Sequence, residues 1–388
     1  MSADLVVVLH AGTMKSGTTY VQSRLDQHRE RLAEDGILFP GPRWRDQMRA
    51  VGDALARARG GTDLTGAEGP WARMRTQLLG WTGGRVVISV EHMCRADDAQ
   101  ASALVASLRP AEVQVILTTR DLGRIIPSAW QQEIKAGRTE TFEDFVQALA
   151  ATSTGARTVD RSVAGHARAR RFWLLYDAAA HAGRWAAAGA DRVRVVTVPQ
   201  AGADPDLLWE RFSAAAGLDH ERYPAPDLDL VLNPSLGGAG AEFLRRLNLR
   251  LGDSLAQDTY RDLVKFTLAN AALAGQPDDA PRRVPAEHAS WLTARSTTLR
   301  DGIRDSGADV VGDLDDLLPA SQPPADCPPT SAALALAAAR AGAALLGRMS
   351  AEHDRGAHRS RRTILAEQVS AARRRVGRQA GGMAGVWT

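Results

Sequence analysis

Residues 6 to 25 read VVVLHAGTMKSGTTYVQSRL, and the order of residue types in this stretch sets the fold. The apolar run Leu5 to Leu9 has the make-up of a buried strand. It breaks into small polar residues between Gly12 and Gly17, and a helical pattern follows. A strand that opens through glycines into a helix aims backbone N–H groups and the positive end of the helix dipole at one spot, which is how a phosphate-binding loop is built. Lys15 and the hydroxyls of Ser16, Thr18 and Thr19 add a cation and three donors, suited to a group with several anionic oxygens. A plain strand-to-helix turn capped by threonine accounts for Gly17 and the cap, but not for a lysine among so many donors.

The loop departs from the pattern of nucleoside triphosphatases. A Walker A loop reads GxxxxGK[ST], whereas here the residue after the second glycine is Thr18 and the lysine comes early. Mg²⁺ in those enzymes is held by the loop Ser/Thr and a strand-end aspartate, and the run Val86 to Val90 ends in Glu91. An anion that is not a Mg²⁺-bound triphosphate fits this loop better.

Valine- and isoleucine-rich runs recur at Leu5 to Leu9, Val86 to Val90, Val113 to Leu117 and Val193 to Val198, separated by longer helical patterns. Near-continuous apolar strands between helices predict an α/β fold with a P-loop-like central parallel sheet flanked by helices, and helical insertions. Ligands in such sheets lie beyond the carboxyl ends of the strands. There the sequence places the Lys15 loop, Glu91 with His92, and Thr118-Thr119-Arg120-Asp121. Phe142, Phe145, Phe172, Trp173 and Trp185 are expected in the core, as are Leu208, Phe212 and Ala215 on one face of a helix.

The stretch TTRDLGRIIPSAW, residues 118 to 130, carries a second anion site. Arg120 leaves the third strand, and Ser128 follows at the start of a helix that Pro127 is expected to open. A guanidinium and a helix-start hydroxyl at the sheet edge make a second place for an anion; a surface ion pair of Arg120 with Asp121 is the plainer alternative.

Lys15-Ser16-Gly17-Thr18-Thr19 resembles the 5′-phosphosulfate loop of sulfotransferases that use 3′-phosphoadenosine-5′-phosphosulfate (PAPS). Arg120 with Ser128 resembles the family's 3′-phosphate pair at its usual spacing. The likeness extends more weakly over about residues 5 to 318, through VRVVTVPQAGADPDLLWERFSAAAGL, LNPSLGGAGAEFLRRLN and VVGDLDDLLP, which look like bacterial members. The resemblance implies a PAPS-dependent enzyme releasing 3′-phosphoadenosine-5′-phosphate, in which Lys15 and the hydroxyls grip the phosphosulfate. It implies no metal, and adenine beside the helix that begins near Tyr20. Tyr20 stands where animal cytosolic members carry tryptophan, and Met14 where they carry proline. Glu91 occupies the place of a glutamate in many bacterial and carbohydrate-directed members, and His92 lies near the histidine of animal ones. Either serves as a general base by pKa. Because neighbours on an extended segment point to opposite faces, one of the two is expected in the site, with Glu91 favoured over His92.

Further residues are weaker candidates for the site. Arg282 and Arg283 suggest a clamp on the 3′-phosphate, or a solvated charge pair. Asn233 and Ser235 suggest a turn. Arg43, Trp44 and Arg45 offer an aromatic between arginines for an acceptor ring, or a plain surface loop. A variant kinase or NTPase, and a non-catalytic nucleotide-binding protein, are the alternatives to transfer onto a small-molecule or carbohydrate acceptor.

The 388 residues carry a net charge of +3, which gives no argument for a nucleic-acid partner. The basic residues are almost all arginine, with lysine only at Lys15, Lys135 and Lys265. Cys94 and Cys327 are too few for a disulfide framework or a cysteine-based zinc site. The short N-terminal apolar run lacks the basic lead of a signal peptide, and Arg340 interrupts the alanine-rich segment Ala332 to Leu346, so no transmembrane segment and a cytoplasmic location are expected. The chain divides into a domain over residues 1–318, a proline-rich linker over 319–330 and a basic helical extension over 331–388, through which copies of the chain can associate.

Overall fold

The computed structural model describes residues 5–66, 68–152, 164–225, 235–319, 326–353 and 355. Six parallel strands form one sheet: β1 (Val6–His10), β2 (Ile37–Leu38), β3 (Arg85–Ser89), β4 (Glu112–Thr119), β5 (Arg192–Thr197) and β6 (Asp309–Val311), in the order β2-β3-β1-β4-β5-β6. The fold is α/β with helices on both sides of the sheet. β1 pairs with β3 through Val8↔Val87 and with β4 through Val8↔Gln114. The chain leaves β1 toward β2 and leaves β4 toward β5, so the order reverses between β1 and β4. Loops diverge there and open a crevice at the carboxyl ends of the strands.

Successive strand residues alternate between two cores. Val7, Leu9, Val86, Ile88, Val113, Val115 and Val195 join the larger one, with Trp71, Leu78, Leu104, Ile125, Trp130 and Trp185 from the covering helices. Val8, Val87, Ile116 and Val196 face the other way, against Val21 and Leu25 of α1 (Thr18–Gln27). α3 (Leu207–Ala216) adds Leu208, Trp209 and Phe212 to that side. Each fully buried valine or leucine contributes about 1.5–3 kcal/mol by leaving water, and burial on both faces is why these strands carry unbroken apolar runs.

α2 (Leu122–Lys135) starts five residues earlier than the proline suggests. Its cap is Asp121, whose carboxylate accepts the Arg124 N–H at 2.9 Å. Pro127 lies inside the helix. The cap decides the start here, because an aspartate that satisfies first-turn N–H groups offsets part of the cost of an internal proline.

α4 (Tyr260–Leu273) is wound as a π-helix. α5, the helix Ser331–His353, is by length and composition alone long and apolar enough to cross a membrane. Arg340 lies inside this helix, since a single arginine among alanines leaves helix propensity intact. Arg340 turns to Asp278 at 2.9 Å and Arg348 pairs with Asp262 of α4, while Ala337 and Ala341 pack against the domain. Little of the rest of α5 is buried. The basic stretch beyond residue 355, and residues 320–325 of the expected linker, lie outside the described residues.

Candidate functional site

The loop from Ala11 to Gly17 continues the line of β1 alongside β4. Ala11 N–H donates to Ile116 O at 2.9 Å, Thr13 N–H to Thr118 O at 2.7 Å, and Thr118 N–H returns to Gly12 O at 2.6 Å. Beneath the loop, Thr118 Oγ1 lies 3.2 Å from His10 Nε2 and 2.6 Å from Ser16 Oγ, and His10 Nδ1 lies 2.7 Å from Ser89 Oγ. His10 is fully buried, and desolvation pulls its pKa down to about 3, so it is a neutral strut. Ser16 is also fully buried and bonds Thr13 O. Its hydroxyl supports the loop from below, so of the three hydroxyls expected to grip an anion it is the one turned away.

Three residues of positive φ aim the loop, Gly12 at +105° among them. Lys15 has φ +62° and Gly17 has φ +80°, the latter in the cap position of α1. Gly17 has no side chain with which to cap the first turn of α1. A β-carbon on Gly17 would stand 2.4 Å from Leu208 Cδ2, a second reason for glycine there. The plainer alternative, a turn capped by threonine, is not what forms: α1 starts behind a glycine with no side-chain cap.

A cavity of about 490 Å³ opens over this loop. Lys15, Gly17, Thr18, Thr19 and Tyr20 line it from the loop and α1, Arg120 and Ser128 from β4 and α2, and Glu91 and His92 from the end of β3. Ser128 reaches it from within α2. Arg120 does not pair with Asp121, which holds Arg124 instead. Burial, reinforced by Arg124, pulls Arg120 down to about 10, and its buried Nε has no hydrogen-bond partner. An orphaned guanidinium N–H on a cavity wall is suited to an anion.

Glu91 and His92 both border the cavity, against the expectation that one would turn away. Glu91–Arg95 is a 3₁₀ turn rather than extended backbone, and at three residues per turn neighbours are about 120° apart, not opposed. Gln22 Nε2 donates to Glu91 Oε2 at 2.6 Å and fixes the carboxylate. Burial lowers the pKa of His92, with the Glu91 charge opposing and Arg95 assisting.

The wall not foreseen from sequence consists of Gln131, Gln132, Lys135, Lys265, Phe266 and Asn270, and Ser235, a weaker candidate read as a turn, also lines the cavity. Ser128, Gln131, Gln132 and Lys135 recur at helical spacing along one side of α2. The scarcity of lysine was the one usable signal, since all three lysines of the chain meet here. Lys15 Nζ donates to Gln132 Oε1 and Lys135 Nζ to Asn270 Oδ1, each at 3.1 Å. Burial lowers Lys15, with Glu91 opposing and Lys265 and Arg120 adding to the effect. Burial, then repulsion from Lys15 and Lys265, brings Lys135 down to about 8.

Other candidates lie elsewhere. Arg282 is buried and paired with Asp326 and Glu143, with its guanidinium 4.9 Å from the Phe142 ring centre, so it is neither a phosphate clamp nor a solvated charge. Arg283 is exposed and bonds Asp326 through its backbone. Trp44 gives its indole N–H to Ser89 O at 2.9 Å while Arg43 and Arg45 are exposed, and none of the three lines the cavity. Tyr20 borders the cavity and donates its hydroxyl to Asp206 at 2.7 Å. Asn233 lies outside the described residues. Comparison of the chain with protein-family models, curated proteins and solved structures found no match in any of the three.

Proposed function

We propose that this chain transfers a sulfuryl group from PAPS to a hydroxyl, or an amine, of a small molecule or glycan. The observation that carries the reading is the sharing of one cavity by the Lys15 loop, the orphaned Arg120 with Ser128, and the Glu91–His92 pair. P-loop-like identity belongs to the same reading. Lys15, Thr18, Thr19 and the first-turn amides of α1 hold the 5′-phosphosulfate, and Arg120 and Ser128 hold the 3′-phosphate. The donor supplies an activated sulfuryl group. Glu91, or neutral His92, takes the acceptor's proton, and Lys15 meets the charge that grows on the departing phosphate. Preorganised charge and in-line placement carry most of the acceleration in such transfers.

Calorimetric titration with 3′-phosphoadenosine-5′-phosphate, set against ATP with Mg²⁺ and repeated on Arg120→Ala, tests the donor site. Tight binding of the bisphosphate that weakens at least about tenfold in the variant supports the reading. Preference for ATP with Mg²⁺ returns the loop to the kinases. Tight binding of the bisphosphate with no transfer across a broad acceptor screen leaves a nucleotide-binding protein without chemistry.

A further inference from the structure

Away from this cavity, described arginines with largely buried side chains meet carboxylates, and the lysines in the cavity do not. Arg24 meets Asp206, Arg211 meets Asp316, Arg245 meets Glu242 and Arg282 meets Asp326, each within 2.6 Å. Among the described residues Lys135 meets only the neutral Asn270, and Lys265 has no carboxylate partner. Both border the cavity, where Glu91 is the one carboxylate against Lys15, Arg120, Lys135 and Lys265. Holding unpaired, partly buried ammonium groups close together costs free energy in the empty protein. A ligand that brings negative charge to them recovers it.

The donor as read above does not use them. Its 3′-phosphate end is assigned to Arg120 and Ser128 and its phosphosulfate end to the loop. Lys135 stands seven residues beyond Ser128, about 10 Å further along α2. Lys265 comes from α4, an element the donor reading does not use at all. Phe266 beside it is 51% exposed, an uncovered ring next to the two cations.

We infer that Lys135 and Lys265, with Asn270, form an anion subsite for the acceptor, so that the molecule sulfated is a hydroxyl compound already carrying a carboxylate, phosphate or sulfate. The inference rests on the donor reading and extends it. It separates the acceptor from neutral sugars and simple phenols. The charge also sets orientation: an anion anchored at the two lysines leaves the hydroxyl end to reach Glu91 and His92.

Having only three lysines makes the test direct. Each can be followed by mass spectrometry after brief reductive methylation at pH 8 with formaldehyde and dimethylamine–borane, neutral reagents that together report the accessible free amine. The protein is labelled alone, with 3′-phosphoadenosine-5′-phosphate, and with that nucleotide plus glucose 6-phosphate or 4-hydroxybenzoate. Glucose and 4-hydroxybenzamide are the uncharged matches. The expected pattern is protection of Lys15 by the nucleotide alone, and of Lys135 and Lys265 by at least about tenfold only when a charged compound is added. In parallel, calorimetry on nucleotide-loaded Lys265→Met should show binding of the charged compound weakened by about tenfold or more, with nucleotide affinity within about twofold. Protection of Lys135 and Lys265 by the nucleotide alone assigns them to the donor and overturns the inference. Equal protection by charged and uncharged partners, or none by either charged compound, overturns it as well. Failure of the donor reading shows separately, as Lys15 left reactive with nucleotide present.

Discussion

Lys15 joins two costs at one residue. Its left-handed backbone, φ +62°, costs a residue with a β-carbon about 1 kcal/mol, and its ammonium is pulled out of water. Glycine would remove both. Lys15→Gly is therefore expected to raise stability by about 1 kcal/mol in urea unfolding, while the proposed sulfuryl transfer should fall by about 10²–10³ through loss of the charge at the departing phosphate. A variant that is both stable and active would show that the lysine is not part of the chemistry. His10, below the loop, carries a pH dependence. Its folded pKa, about 3, lies under the ordinary imidazole value near 6.5. Between those limits the unfolded chain takes up a proton that the native state refuses, so stability falls as pH drops from about 6.5 toward 3, by up to about 1.4 kcal/mol per pH unit. His10→Asn is expected to cost about 1–3 kcal/mol at pH 7, from the lost buried bonds, and to flatten that acid slope. An unchanged slope in unfolding series from pH 7 to pH 4 would place the titration elsewhere.

Helix α2 delivers Arg120 at its foot, Ser128 in its middle and Lys135 at its end, so its start fixes the spacing of the cavity wall. Asp121→Ala removes the cap bond to Arg124 N–H and the pairing with the Arg124 side chain. A loss of about 1–2 kcal/mol in stability is expected, together with weaker nucleotide binding, whereas Asp121→Asn, which keeps a capping oxygen, should retain most of both. Equal losses in the two variants would assign the effect to charge rather than capping. The same helix shows what was legible in the sequence. Strands β1, β3, β4 and β5 were readable because burial on both faces demands unbroken apolar runs. β2, at Ile37–Leu38, and β6, at Asp309–Val311, are edge pieces too short to leave such a run. The ends of β1, β3 and β4 named the loop, Glu91, His92 and Arg120, since in a parallel sheet strand order alone puts them at one rim. The 3₁₀ turn at Glu91 and the cap at Asp121 were missed because each depends on hydrogen bonds that compete with a stronger local cue, alternation in one case and Pro127 in the other. The wall from α4 was illegible, as tertiary packing brings Lys265 within reach of Lys15 from far along the chain.

On the scale of the whole molecule, the described part of the C-terminal segment is fastened to the domain by one buried charge cluster and by exposed pairs. Arg340–Asp278 and Arg348–Asp262 are exposed enough to contribute little, about 0–1 kcal/mol each. Arg282 differs: its side chain is 4% exposed, that of Asp326 is 9% exposed, and two of its nitrogens reach Asp326 while one of them also reaches Glu143. Asp326 in turn accepts the Arg283 N–H at 2.8 Å, which ties the segment leading into α5 to the loop beside α4. Removing the arginine leaves a buried carboxylate without compensation. Arg282→Ala is therefore expected to cost about 3–5 kcal/mol, against at most about 1 kcal/mol for Arg340→Ala. If the cluster anchors α5, amide exchange between residues 331 and 353 should quicken in Arg282→Ala under conditions where β1 and β4 remain protected, because the helix opens without the sheet. Uniform quickening across both would mean that Arg282 supports the domain as a whole and that α5 is held by its own packing at Ala337 and Ala341.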